Sequence, residues 1–198
     1  MMKAGAGWLK QYGGKALNIA LIILILLLIF VPDTKSWMMR QFMRTGIFNA
    51  RVDKQQVASS RNINILGLTF TDMAGASFST QSFEGKIVVI NFWATWCPPC
   101  RAEMPSLNKL FKEFENDKDM AFLLVTEDEE PLKARDYLRN HNYHLPLYTA
   151  SGAPGPGFYS GTLPTTLVFD KRGNLIYRHE GMANYHSENF VAALRALK

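Results

Sequence analysis

The feature that most constrains this chain is a junction. Ile87-Val88-Val89-Ile90-Asn91-Phe92-Trp93, almost uninterrupted in apolar and β-branched residues, is followed three residues later by Cys97-Pro98-Pro99-Cys100. A short continuous apolar run is the pattern of a central strand buried on both faces. Beyond the cysteines, Met104, Leu107, Leu110, Phe111 and Phe114 recur at three- and four-residue spacing. That spacing predicts an amphipathic helix of about four turns beginning near Cys97, with a kink at Pro105. The cysteines therefore belong at the turn from a buried strand into a helix.

The rest of the chain repeats the alternation. Ala121–Val125 reads as a second buried strand, followed by the acidic run Glu127-Asp128-Glu129-Glu130 and a helix from about Pro131 to Asn140. Leu167–Phe169 and Leu175–Tyr177, joined by Asp170-Lys171-Arg172-Gly173-Asn174, predict a hairpin with a glycine turn. Ser187 is placed to cap a last helix ending near Leu197, and Ile63–Ile65 with Leu68–Phe70 predict an additional amino-terminal hairpin. The expected class is α/β.

The chain has two cysteines, so neither has a partner elsewhere for a structural disulfide and no second pair exists for a zinc site. A C-x-x-C between strand and helix then points to redox chemistry. At a helix amino terminus the unpaired N–H groups and the macrodipole favour a thiolate at Cys97, the attacking sulfur. One turn on, Cys100 is placed to resolve a mixed disulfide. Pro98 and Pro99 suit a first turn that needs no donors, and by removing two N–H groups near sulfur they should tune the reduction potential. His141, His144, His179 and His186 form no ligand set with suitable spacing, so no metal is expected.

At 198 residues, 47% apolar and 20% charged, the chain has room for one domain plus an appendage. Its net charge of +5 lies wholly at the amino end: residues 1–48 carry Lys3, Lys10, Lys15, Lys35, Arg40 and Arg44 against Asp33 alone. The remainder is balanced and shows no basic stripe, which excludes nucleic acid as a partner. Leu17–Val31 is apolar apart from Asn18. Its fifteen residues fall between a signal-peptide core and a spanning helix of about 20. No small-x-small cleavage pattern follows, so an uncleaved signal-anchor in the lipid bilayer is expected over residues 1–32, with the amino terminus inside. Residues 33–60 read as a tether, in which Trp37, Met38, Met39, Phe42 and Met43 interleave with Arg40 and Arg44; an interfacial helix and an ordinary linker both fit. Residues 61–198 remain for the domain.

Asn91-Phe-Trp-Ala-Thr-Trp-Cys-Pro-Pro-Cys-Arg-Ala-Glu-Met-Pro105 resembles the active-site block of the TlpA/ResA group of membrane-tethered thioredoxins. Leu163-Pro164-Thr165-Thr166 and the stretch from Phe169-Asp170 to Gly181 resemble that group's later blocks. The resemblance implies a thioredoxin fold, a central mixed sheet flanked by helices. It also implies a cis Leu163-Pro164 peptide facing the cysteines, with Leu163 backbone groups pairing with a bound substrate strand. It implies an extracytoplasmic reductant of protein disulfides, supplied with electrons by a membrane donor protein and serving clients such as apocytochrome c, with no cofactor beyond the Cys97–Cys100 disulfide. Asn91 stands where many thioredoxins carry a buried Asp, so proton handling must differ; Glu103, one turn past Cys100, is a substitute relay, a complement to the helix dipole or a solvent-facing side chain. Trp96 is either a partner-docking surface or half-buried packing. Residues 149–161, TASGAPGPGFYSG, form a Gly/Pro/Ser-rich loop where relatives often carry a short helix. Two other functions remain alternatives: a thiol peroxidase, which lacks its single peroxidatic Cys block here, and a copper-delivery protein, which would need more widely spaced cysteines and a histidine.

Overall fold

The computed structural model describes residues 15, 17–26, 32–43, 46, 48–50, 65, 68–151 and 158–198. In chain order these give α1 (Pro32–Met43), β1 (Thr69–Asp72), β2 (Ser77–Ser79), β3 (Ile87–Trp93), α2 (Pro98–Phe114), β4 (Met120–Thr126), α3 (Pro131–Asn140), β5 (Leu147–Ala150), β6 (Thr165–Phe169), β7 (Leu175–Glu180) and α4 (Glu188–Ala196). The strands form one seven-stranded sheet in the order β2-β1-β5-β4-β3-β6-β7. β3 runs parallel to β4 and antiparallel to β6, and β4 runs parallel to β5. The sheet is thus mixed, with β3 and β4 at its centre and buried at every residue.

Side-chain alternation along β3 separates two apolar clusters. Ile87, Val89 and Trp93 join Cys100, Met104 and Leu107 of α2, Ala134 and Leu138 of α3, and Phe190 and Leu194 of α4. Val88, Ile90 and Phe92 join Ile65, Phe70, Leu167, Phe169 and Leu175, with Phe83, Phe158 and Tyr159 packed against them. Asn91 shares the first face, so its amide points toward the active-site helix, where an apolar residue would otherwise sit.

The predicted central strand and the helix over Pro131–Asn140 form with the expected bounds, and the strand after the active-site helix and the two strands of the later hairpin form two to three residues longer than their apolar runs. α2 has 17 residues and continues through Pro105.

Several expectations are corrected. The amino-terminal hairpin pairs β1 with β2, not Ile63–Ile65 with Leu68–Phe70. Its turn is held by Asp72, whose Oδ1 accepts from Ala74 N and Ala76 N, and by Gly75 at φ +86°. Ile65 instead donates its N–H to Gly173 O and accepts from Thr80 Oγ1, while residues 63–64 lie outside the described residues. Ser187 occupies the cap position of α4 but makes no side-chain capping bond, because its hydroxyl donates to Ala50 O at 3.3 Å. The first two residues of the Gly/Pro-rich loop complete β5, its residues 152–157 lie outside the described residues, and Phe158 and Tyr159 return to the core.

Residues 17–26 are helical with exposed apolar side chains. No helix among the described residues is long and apolar enough to cross a membrane, and residues 27–31 of the expected span lie outside them. The tether contains α1, which packs along α2; Ser36 and Met43 are buried. Residues 51–60 of the tether are outside the described residues.

Candidate active site

The site lies where β3 ends. Trp93 is followed by the loop Ala94–Trp96, and Cys97 is the cap residue of α2 with Pro98 and Pro99 as its first two helical residues. A cap residue adopts extended backbone and offers its side chain to the N–H two or three residues on. Cys97 is at φ −92°, ψ 105°, and its Sγ accepts from Cys100 N at 3.3 Å. Pro98 and Pro99 carry no N–H, so that single donor is what the helix start offers the sulfur. The cysteines are joined in a disulfide, with Cα atoms 5.3 Å apart. Cys97 is 4% exposed and Cys100 is fully buried, so a partner reaches Cys97 first.

The loop before Cys97 is clamped from a neighbouring strand. Because β3 and β4 are parallel, their carboxyl ends emerge side by side. The Asp128 carboxylate, just past β4, accepts from Thr95 N at 3.0 and 3.2 Å, from Thr95 Oγ1 at 2.6 Å and from Thr126 Oγ1 at 2.8 Å. Glu127 N donates to Trp93 O at 2.8 Å. Sequence reasoning placed Asp128 only in an acidic run; the usable signal was that adjacent parallel strands bring their carboxyl ends together.

Beneath the cysteines lies a buried polar group. Glu103 is fully buried, with Oε1 accepting from Asn91 Nδ2 at 2.8 Å and Oε2 from Ala183 N at 3.1 Å. Asn91 Nδ2 also donates to Thr166 Oγ1 at 2.8 Å. Burial pushes the Glu103 carboxyl up to about 8, against the opposing pull of those two donated hydrogen bonds. The solvent-facing reading of Glu103 is therefore overturned. Tyr185 is buried beside this group, and desolvation together with the Glu103 charge raises its phenol well above its usual value.

Leu163-Pro164 is cis. β6 pairs Thr165 with Phe92 and Thr166 with Asn91, which sets Pro164 at the end of β3 from which the cysteine motif emerges. Leu163 packs against the apolar cluster that contains Cys97 and Cys100. Trp96 is 63% exposed immediately before Cys97, which overturns the half-buried reading. Tyr159, just upstream on the loop leading to Leu163, stacks on Phe92 with ring centroids 4.5 Å apart and 8° between planes. Among the described residues no group of three or more His, Cys, Asp or Glu side chains is placed to hold a metal ion.

A mixed sheet of this order, with a Cys-Pro-Pro-Cys disulfide at the start of a helix and a cis-proline at the adjoining strand end, defines a thioredoxin-like protein with a dithiol/disulfide site. The chain belongs to the Redoxin family, whose profile matches residues 61–194. It is similar to the thiol-disulfide oxidoreductase ResA of Bacillus cereus, 32% identical over 107 residues that make up 54% of this chain and 61% of that protein. It is also similar to the thioredoxin-like protein YneN of Bacillus subtilis, 29% identical over 129 residues covering 65% of this chain and 76% of that one. The chain thus spans about three fifths of the length of the ResA proteins it matches. Among solved structures, a thiol:disulfide interchange protein of Chlorobium tepidum superposes with a TM-score of 0.56 at 23% identity, over 68% of this chain and 97% of that one, a likeness of fold.

Proposed function

We propose that the chain is a thiol-disulfide oxidoreductase that reduces protein disulfides. The observation that carries this reading is the asymmetry of the pair: Cys97 caps the helix and touches solvent, whereas Cys100 is sealed behind it with Glu103 one turn further along the same helix. In the reduced protein the Cys97 thiolate attacks one sulfur of a client disulfide, forming a Cys97–client bond and releasing the other client sulfur as a thiolate. Cys100 gives its proton to the Glu103 carboxylate and attacks Cys97 Sγ. The second client sulfur leaves as a thiolate and takes up a proton, and the Cys97–Cys100 disulfide of the present structure results. Glu103 thus takes the relay role that Asn91 cannot, while Asn91 holds its carboxylate in place.

Trp96 and the backbone of Leu163 form the two sides of the client groove, with Pro164 as its wall. The clients are extracytoplasmic protein disulfides, with the disulfide of oxidised apocytochrome c as one class, and the electrons come from a membrane dithiol donor. Residues 17–31 hold the domain to the bilayer. The resemblance of the active-site block to the TlpA/ResA group supports these assignments, as does the apolar helical segment 17–26.

A stoichiometric test is direct. Reduced protein mixed with a chromogenic aromatic disulfide should release two thiolates per chain and end as the intramolecular disulfide; Cys100→Ala should release one and remain a mixed disulfide at Cys97. One thiolate from the unaltered chain, or a stable adduct on Cys100, would refute the assignment.

A further inference from the structure

We infer that residues 48–50 of the tether are a strap that positions Glu103, acting through Asn184 on the backbone donor beside it. The inference rests on the reading of Glu103 as the acceptor of the Cys100 proton. A buried carboxylate can hold its charge only as far as hydrogen-bond donors reach it. Glu103 takes one from Asn91 Nδ2 at 2.8 Å and one from Ala183 N at 3.1 Å. The first donor is fixed by the sheet, since Asn91 lies within β3 and also bonds Thr166 of β6. The second comes from the loop between β7 and α4.

The tether holds that loop. Asn184 N donates to Phe48 O at 2.7 Å, Ala50 N donates to Asn184 O at 3.2 Å, and Asn184 Nδ2 donates to Asn49 Oδ1 at 3.0 Å. Asn49 and Asn184 thus form a parallel bridge one residue past the Glu103 donor. Ser187 Oγ adds a bond to the carbonyl of Ala50, which is itself buried. From the α2 side, Ser106 Oγ reaches Ala183 O at 3.4 Å and accepts from Tyr185 N at 3.2 Å. A hydroxyl has one proton, and that of Ser106 also serves Glu103 O at 2.8 Å, so its hold on Ala183 is weak. Residues 48–50 lie outside the region matched by the family profile, so the strap belongs to this chain and not to the shared domain.

Loosening the strap lets Ala183 N drift from Glu103 Oε2. The carboxylate then loses one of the two donors that oppose desolvation, and its proton is held more tightly. Less carboxylate is present at a given pH, so Cys100 resolves more slowly, while the attack by Cys97 comes earlier and does not use this group. The titratable groups packed around Glu103 are Cys97 and Cys100 on α2, Tyr185 on the loop and Tyr177 on β7. Arg40, Lys109 and His186 line the cleft outside Ala102 and Ser106. None of them bonds to residues 48–50 through its side chain in the contacts that form the strap.

The test uses the full chain carrying Phe48→Gly, Asn49→Gly and Ala50→Gly together, which keeps its length, removes the Asn49 acceptor and loosens the backbone. Asn49→Ala is the milder companion. Stopped-flow release of the second thiolate from the aromatic disulfide should have its pH inflection moved up from near 8 by roughly half a pH unit or more in the glycine variant, and by less in Asn49→Ala. Release of the first thiolate should be unchanged, and amide exchange at Ala183 should quicken roughly fivefold. An unmoved inflection, even with slower release at every pH, or unchanged exchange at Ala183, overturns the strap and leaves Glu103 as the acceptor. An inflection that survives Glu103→Gln overturns the Glu103 reading and the strap with it.

Discussion

At the residue scale the site turns on a carboxyl group kept out of water. Glu103 titrates near 8 in the folded protein, against 4.5 for the free side chain. Between those values the folded state holds a proton that the unfolded chain has released, so the contribution of Glu103 to stability is fully present below about pH 4.5 and is lost as pH rises toward 8. The full difference is on the order of 5 kcal/mol. Urea unfolding across this range should show that decline, and Glu103→Gln should flatten it. In the proposed resolving step the sign reverses, because the carboxylate is the form that would accept the Cys100 proton. The rate of resolving a Cys97 mixed disulfide should rise with pH to an inflection near 8 that Glu103→Gln abolishes. Stopped-flow release of the second thiolate measures it. At Pro99 the effect is on potential: Pro99→Ala adds an N–H donor beside Cys97 Sγ, stabilising its thiolate by about 1–2 kcal/mol and raising the reduction potential by roughly 20–40 mV. Glutathione equilibration reads that shift. The placement of the cysteine pair at a helix start was legible because spacing and helix start are local. Burial of Glu103 was also written in the stripe Cys100, Glu103, Met104, Leu107, but a carboxylate in an apolar stripe is read outward unless its donors are known, and these come from residues 91 and 183.

At the element scale, the parallel pairing of β3 and β4 does more than build the sheet, since it brings Asp128 under the loop that delivers Cys97. Asp128→Ala removes the acceptor of Thr95 N and Oγ1 and of Thr126 Oγ1. It should cost about 1–3 kcal/mol in unfolding free energy and loosen the presentation of Cys97, seen as faster amide exchange at Thr95 and Trp96. Buried strands and amphipathic helices were legible because their periods are intrinsic. β5 was missed because Leu147–Ala150 is only four residues long and half-buried, and it gains strand character from its neighbours β4 and β1. The first hairpin was misplaced because its turn depends on the Asp72 side chain closing on Ala74 and Ala76, a weaker sequence signal than apolar alternation. Phe158 and Tyr159 lay inside a stretch whose Gly and Pro content reads as loop, yet both anchor to the core, with Tyr159 stacked on Phe92. Tyr159→Ala should therefore destabilise the protein by about 1–2 kcal/mol, less than a truncation in a core because the ring is only partly buried, and weaken client binding through the adjoining Leu163; thermal unfolding and a client Kd separate the two effects.

At the scale of the whole molecule, the strand–helix alternation and the resemblance of the active-site block carried the architecture. The order of strands and the docking of α1 on α2 were not legible, because both depend on contacts between residues far apart in sequence. A reductant must sit at a low potential: equilibration against glutathione should place the Cys97–Cys100 couple below about −200 mV, and a value near −120 mV would mark an oxidant. The most direct test of the central claim is disulfide trapping in membranes of the native host. A Cys100→Ala chain should accumulate proteins linked to it through Cys97 and released by reductant. No trapped protein, or trapping confined to a Cys97→Ala chain through Cys100, would contradict the account.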